Sequence, residues 1–81
     1  MSIAIKGHRY QHFKSKEFIY TVLEADAVST DDLRHFVIYR SEYDKPDFPK
    51  GTVWSRLKEE FESKKILPDG TEVERFLDIG E

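Results

Sequence analysis

The side chains best suited to chemistry in this chain are aromatic rings interleaved with cations. Tyr10, His12, Tyr39, Tyr43 and Trp54 offer flat faces, while Arg9, Lys14, Arg40, Arg56 and Arg75 offer positive charge. A nucleobase stacked on such a ring gains about 1–3 kcal/mol. A guanidinium grips a phosphate or carboxylate through two parallel hydrogen bonds. The interleaving predicts a pocket or groove for a nucleotide-like or other anionic ligand, with Tyr10, His12, Tyr39, Arg40, Trp54 and Arg56 as its ligand-binding residues. The competing reading puts Trp54, Phe61, Phe76 and Tyr20 in the core and pairs Arg56 and Arg75 with the abundant acids. Core is the preferred reading for Trp54 and Phe61; for Tyr10, His12, Arg40 and Arg56 the two readings stand level.

Other chemistries find little support. A metal site wants three or four converging ligands at motif spacing. His8 and His12 are four apart but fall in an extended segment, where they share no helical face, so no metal site and no cofactor is expected. The ordinary alternative is a solvent-exposed His8 with His12 and His35 bonded to backbone or carboxylate. No G-x-S-x-G elbow occurs. Gly7, Gly51, Gly70 and Gly80 are too scattered to cradle a phosphate. Adjacent carboxylates such as Asp31-Asp32 and Glu59-Glu60 diverge on a strand or helix and read as solvated charge rather than a catalytic pair. With no cysteine, disulfides, thiolate nucleophiles and thiolate metal sites are excluded. An enzyme is therefore not expected.

Size and charge narrow the choice further. At 81 residues the chain is a single domain, 1–81, with a lead-in over 1–7 and the folded body over 8–79. Such a domain buries only about 60–65% of its unfolded surface. An aromatic content of 14% therefore has to supply much of the core. The net charge of −3 argues against a general nucleic-acid coat. Charge is nevertheless uneven: Lys6, Arg9, Lys14 and Lys16 stand in residues 1–16 without an acid, whereas residues 41–81 carry more acids than bases. That asymmetry either orients an anionic ligand or partner or is an ordinary solvated surface. No apolar run is long enough to span a membrane or serve as a secretion signal, so no membrane association is expected.

The elements that would position these groups are mostly strands. Ile3 and Ile5 suggest a short first strand, and residues 8–13 alternate Tyr10 and His12 against Arg9, Gln11 and Phe13. Lys14-Ser15-Lys16 reads as a turn. Residues 17–27 are the clearest strand: β-branched and aromatic residues dominate, and both faces are apolar. Ser29-Thr30-Asp31-Asp32 is turn chemistry, and residues 33–41 return as the second arm of a hairpin. Pro46, Pro49 and Gly51 mark a loop, and Thr52 to Trp54 suggest a short strand. Trp54, Leu57 and Phe61 then take helical spacing, with Ser55 as N-cap and the helix running to Lys65. Pro68-Asp69-Gly70 predicts a turn before a final strand over 71–79. The expected fold is mainly β: a small SH3-like barrel of four or five antiparallel strands with one short helix or turn, a small α+β sheet being the alternative. Closure would remove exposed strand edges.

The chain also resembles a known family, the bacterial and phage domain-of-unknown-function family numbered 1653. Arg9-Tyr10-Gln11-His12-Phe13-Lys14 is similar to its "YRHFKG" opening, and Tyr20-Thr21-Val22-Leu23 to its "YEVL" strand. Val37-Ile38-Tyr39-Arg40 with Tyr43 resembles "VVYRALY", Trp54-Ser55-Arg56 with Phe61 resembles "WVRPLEMF", and Gly70 with Arg75-Phe76 resembles the closing "G…RF". The likeness spans about residues 8–77. Leu57 stands where the family usually has proline and Gln11 where it has arginine. The resemblance implies a compact, β-rich cytoplasmic domain and brings no activity.

The expected function is a non-catalytic binding module, foremost for protein–protein interaction, with a protein partner or self-association. SH3-like barrels use exposed aromatics in that way. The alternative is binding or sequestration of a nucleotide-like anionic ligand or nucleic acid, which the family's phage occurrence would connect with anti-defence. A small hydrolase or regulator ranks third.

Overall fold

A computed structural model describes residues 3–81, and they fold mainly into strands. These are β1 (Arg9–His12), β2 (Ile19–Val28), β3 (His35–Ser41), β4 (Val53–Leu57), β5 (Lys64–Ile66), β6 (Glu72–Glu74) and β7 (Phe76–Gly80), with one short helix, α1 (Lys58–Phe61), after β4. Five strands form one antiparallel sheet in the order β4-β3-β2-β1-β7, and β5 with β6 forms a small hairpin. The antiparallel β architecture expected from the strand spacing is thus present. No ladder joins β4 to β7 among the described strands, so the sheet has two edges.

The β2–β3 hairpin forms where the apolar runs flank turn chemistry. The Asp31 N–H donates to Ser29 Oγ and the Arg34 N–H to Asp32 Oδ1, at 3.3 and 3.1 Å. β2 is long and bulged on either side of Glu24, and such irregularities bend a strand and increase its twist.

Alternation decides which side chains face inward. Tyr10 lies opposite Tyr20, and Val22 lies opposite Tyr39. Tyr39 in turn faces Trp54, and Val37 faces Arg56. His12 faces Phe76. Arg40 is one residue off this series, so it lies on the outer face, where its Nε donates to Glu42 at 3.0 Å. The core consists of Ala4, Tyr10, Tyr20, Val22, Val37, Tyr39, Phe61 and Phe76. Helix α1 presses Phe61 into one end of the inner face. Its ring stacks on Phe76 at 4.2 Å, meets Tyr10 edge-on at 5.2 Å and lies tilted against Tyr39 at 5.4 Å.

Several local expectations change. Residues 3–5 form no strand; the part of the lead-in at Met1 and Ser2 lies outside the described residues. Residues 3–5 instead form a strap tied to Tyr10. The Tyr10 hydroxyl donates to the Ile3 carbonyl at 2.7 Å and accepts from the Ile5 N–H at 2.8 Å. The expected helix over residues 55–65 shrinks to Lys58–Phe61, with Leu57 rather than Ser55 at its N-cap. Residues 53–57 are instead held by a five-pair ladder on β3; tertiary pairing overrides the helical spacing of Trp54, Leu57 and Phe61. The turn at Pro68-Asp69-Gly70 forms, with Gly70 at a φ of 88° that a side chain would resist. The final strand is broken at Arg75, whose N–H extends the β5–β6 pairing by donating to the Ser63 carbonyl at 3.1 Å, while its own carbonyl turns away to accept from the Phe13 N–H.

Candidate functional site

Beyond the part of the inner face that Phe61 covers, the same face stays open as a cleft of about 190 Å³. It is lined by His12, Lys14, Phe18, Tyr20, Tyr39, Lys45, Arg56 and Phe76. Four of these reach it by simple alternation: His12 follows Tyr10 by two on β1, Tyr39 follows Val37 on β3, Arg56 follows Trp54 on β4, and Tyr20 precedes Val22 on β2. Phe76 forms the floor and is 1% exposed. Lys14 and Phe18 come from the tight β1–β2 turn, which the His12 N–H closes by donating to the Phe18 carbonyl at 2.9 Å. Lys45 comes from the β3–β4 loop, pinned by a bridge to Phe48.

The site is electropositive. The Arg56 guanidinium lies 5.5 Å over the Phe76 ring, a favourable cation–π placement. Its Nη1 donates to Glu60 at 2.6 Å, and its Nε donates to the Tyr39 hydroxyl over a longer 3.4 Å. Burial works against the charge on Arg56, but the Tyr39 hydroxyl and Glu60 outweigh it and hold the group more firmly protonated. The Lys45 ammonium sits among three rings, 5.9 Å from Phe18 and from Tyr43 and 5.7 Å from Trp54. Those rings brace one another: Phe18 stacks on Tyr43 at 4.9 Å, and Phe48 leans on Trp54 at 4.8 Å. Among the described residues neither Lys14 nor Lys45 has a carboxylate partner.

His12 responds to this field. Its pKa falls to about 4, first because burial disfavours the charged ring and then because Arg56, Lys14, Arg75 and Lys45 repel a further proton. The neutral ring has a defined tautomer, since the Lys14 backbone N–H donates to Nδ1 at 3.2 Å and thereby leaves the hydrogen on Nε2. His12 is therefore an uncharged donor in a basic cleft. Behind it, the Tyr20 hydroxyl pairs with that of Tyr43; burial and that bond raise its pKa further from neutrality.

Of the six ligand-binding candidates, His12, Tyr39 and Arg56 converge on the cleft. Trp54 stands beside it as part of the Lys45 surround, with its indole N–H buried and without an acceptor. Tyr10 is fully buried, its hydroxyl committed to the strap, so it is a core residue and not a ligand contact. Arg40 lies on the outer face with Glu42 and takes no part. The groups that sequence reasoning missed are Phe18, Tyr20, Lys45 and Phe76. Lys14 was legible only as one cation among several. Tyr20 and Phe76 share the inner alternation, which is the signal that could have found them; Lys45 sits in a loop where no periodicity applies.

The other histidines are engaged elsewhere. His8 is half-buried rather than exposed and its Nδ1 meets Asp78 at 3.0 Å, while the exposed His35 meets Asp26 at 2.5 Å. No cluster of three or more potential metal ligands stands together among the described residues. Among those residues, too, no helix is long and apolar enough to cross a membrane.

Residues 8–78 match the sequence model of a family described as "Protein of unknown function (DUF1653)". Neither the curated proteins nor the solved structures contain a match.

Proposed function

We propose that this chain, which belongs to the DUF1653 family, is a non-catalytic binding module whose open cleft receives an anionic group. One observation carries the reading: Lys14, Lys45 and Arg56, from three separate elements, line a single cleft, and among the described residues only Arg56 of the three has a carboxylate partner, Glu60. Rings hold Lys45 and Arg56 in place, so less side-chain entropy is lost on binding. A nucleotide-like ligand fits these groups, with charge held by the cations and a planar part free to stack. The strand order suits an SH3-like barrel, and the cysteine-free sequence suits a reducing cytoplasm.

The test is an amide and side-chain NMR titration with inorganic phosphate, sulfate, acetate and citrate. Shifts confined to His12, Lys14, Lys45 and Arg56 are expected. Arg56→Ala should weaken the response at least tenfold, about 1.4 kcal/mol. Shifts scattered over the basic N-terminal residues, or none with any anion, overturn the reading.

Association with a protein partner, or with a second copy, is favoured by a different place. Leu33 is 72% exposed at a φ of 60°, unusual for a leucine, beside a groove lined by Leu57, Lys58 and Glu62. Light scattering of the wild type and Leu33→Asp tests the self-association form: an oligomer that the variant dissolves supports it, and a monomer in both cases excludes it.

A further inference from the structure

Resting on the anion reading, we propose that the cleft selects a phosphomonoester as its dianion, with the tetrahedral head held among Lys14, Lys45, Arg56 and the Nε2–H of His12 while the rest of the molecule stays outside. Three features of the site converge on this class. The first is the separate origin of the donors. They come from the end of β1, the β1–β2 turn, the β3–β4 loop and β4, so the cleft is lined from four separate places in the chain. A carboxylate presents two oxygens in a plane and is satisfied by one guanidinium fork; a phosphate head presents three oxygens to separate donors. The second is charge. Two lysines without carboxylate partners among the described residues and one partly neutralised arginine match a doubly charged head better than a single charge. The third is size. About 190 Å³ is below the roughly 300–1,000 Å³ of pockets that enclose a whole drug-sized ligand, so the cleft holds a head group and not a complete nucleotide.

The character of His12 makes the proposal testable by pH. The charged and titratable groups around the cleft are His12 on β1, Lys14 in the turn, Tyr20 on β2, Tyr39 on β3, Tyr43 and Lys45 in the loop, Arg56 on β4, Glu60 on α1, and Arg75 before β7. Apart from histidine, these side-chain types do not titrate near pH 6, and His12 stays neutral down to about 4. A phosphomonoester takes its second charge near a pKa of about 6. Across about pH 5 to pH 7.5 a monoester therefore gains its second charge while His12 of the free cleft stays neutral.

Calorimetric titration of the full chain with phenyl phosphate, adenosine 5′-monophosphate, dimethyl phosphate, sulfate and acetate reads the outcome. Both monoesters should tighten as pH rises through the window, while sulfate and acetate stay level and dimethyl phosphate binds weakest. Lys45→Gln, on the exposed loop, should weaken the monoesters about tenfold and acetate less. His12→Leu should weaken the monoesters without abolishing their rise with pH. Equal, pH-independent binding of monoester, sulfate and acetate would overturn the dianion selection and leave the anion reading standing. Affinity that falls as pH rises would also overturn it, since the histidine would then be binding as a cation. No binding by any member of the set removes both readings.

Discussion

The inner face of the sheet has two ends built from similar side chains, and they come to opposite fates. At one end Tyr10, Val22, Val37 and Phe61 are sealed beneath the helix and the N-terminal strap, and the Tyr10 hydroxyl is consumed by two backbone partners. At the other end Tyr20, Tyr39 and Phe76 pack just as closely, yet their outer rim carries His12, Lys45 and Arg56 around an open cleft. Nothing in the ring types separates the two ends. The difference is what lies above them: an apolar helix residue at one, cations at the other. A charge cannot be buried there without a partner at a cost of several kcal/mol, so the cationic end remains open to water and to a ligand.

That contrast can be broken by mutation. Phe61→Ala should have the largest effect, a loss of about 3–5 kcal/mol in urea unfolding, because the ring stacks on Phe76 and fills the sealed end. For a domain this small, such a loss removes most of the stability. Tyr10→Phe keeps the ring but strands the Ile3 carbonyl and Ile5 N–H, and should cost about 1–2 kcal/mol by the same measurement. Arg56→Ala, at the open end, should stay within about 1 kcal/mol of wild type, since its ion pair with Glu60 is partly solvated. If Arg56→Ala were as damaging as Phe61→Ala, the open end would be core, and the distinction between the two ends would fail.

A further effect sharpens the comparison through pH. The folded pKa of His12 lies near 4, below its ordinary 6.5, so the unfolded chain takes up a proton first as the solution is acidified. The contribution of this group to stability is fully present above pH 6.5 and is lost as pH falls towards 4. The difference in unfolding free energy between wild type and His12→Leu should therefore decline across that window. A difference independent of pH would mean that the histidine is not held neutral by its surroundings.

How legible each part was depends on the range of the interactions that decide it. The β2–β3 hairpin is plain because the β-branched and aromatic run of residues 18–22, turn-forming Ser29 to Asp32 and a second such run over residues 36–39 follow one another within a short stretch of chain. Pro68-Asp69-Gly70 was plain for the same reason. The helix is shorter than its spacing predicts because Trp54, Leu57 and Phe61 satisfy a helical period, while the ladder that holds Val53–Leu57 as a strand belongs to β3, a separate element earlier in the chain. In the candidate site, alternation places Tyr10 and His12 on one side of β1, yet it cannot tell which of them lies beneath the strap and which borders the cleft.

By itself, then, the order of residues determined that this chain is built of short antiparallel strands and that it carries rings and guanidinium groups interleaved, with no cysteine among its 81 residues. Local preference and side-chain type are properties of neighbouring residues, and a linear reading can reach them. Only the tertiary structure decided that Arg40 turns outward to Glu42, that Tyr10 is sealed in, and that Lys45 swings from its loop into a surround of Phe18, Tyr43 and Trp54. Those outcomes depend on strand register and on where the helix and strap settle. Both are contacts between distant parts of the chain, and a period of two along a strand sets a side chain's face but not its position across the sheet.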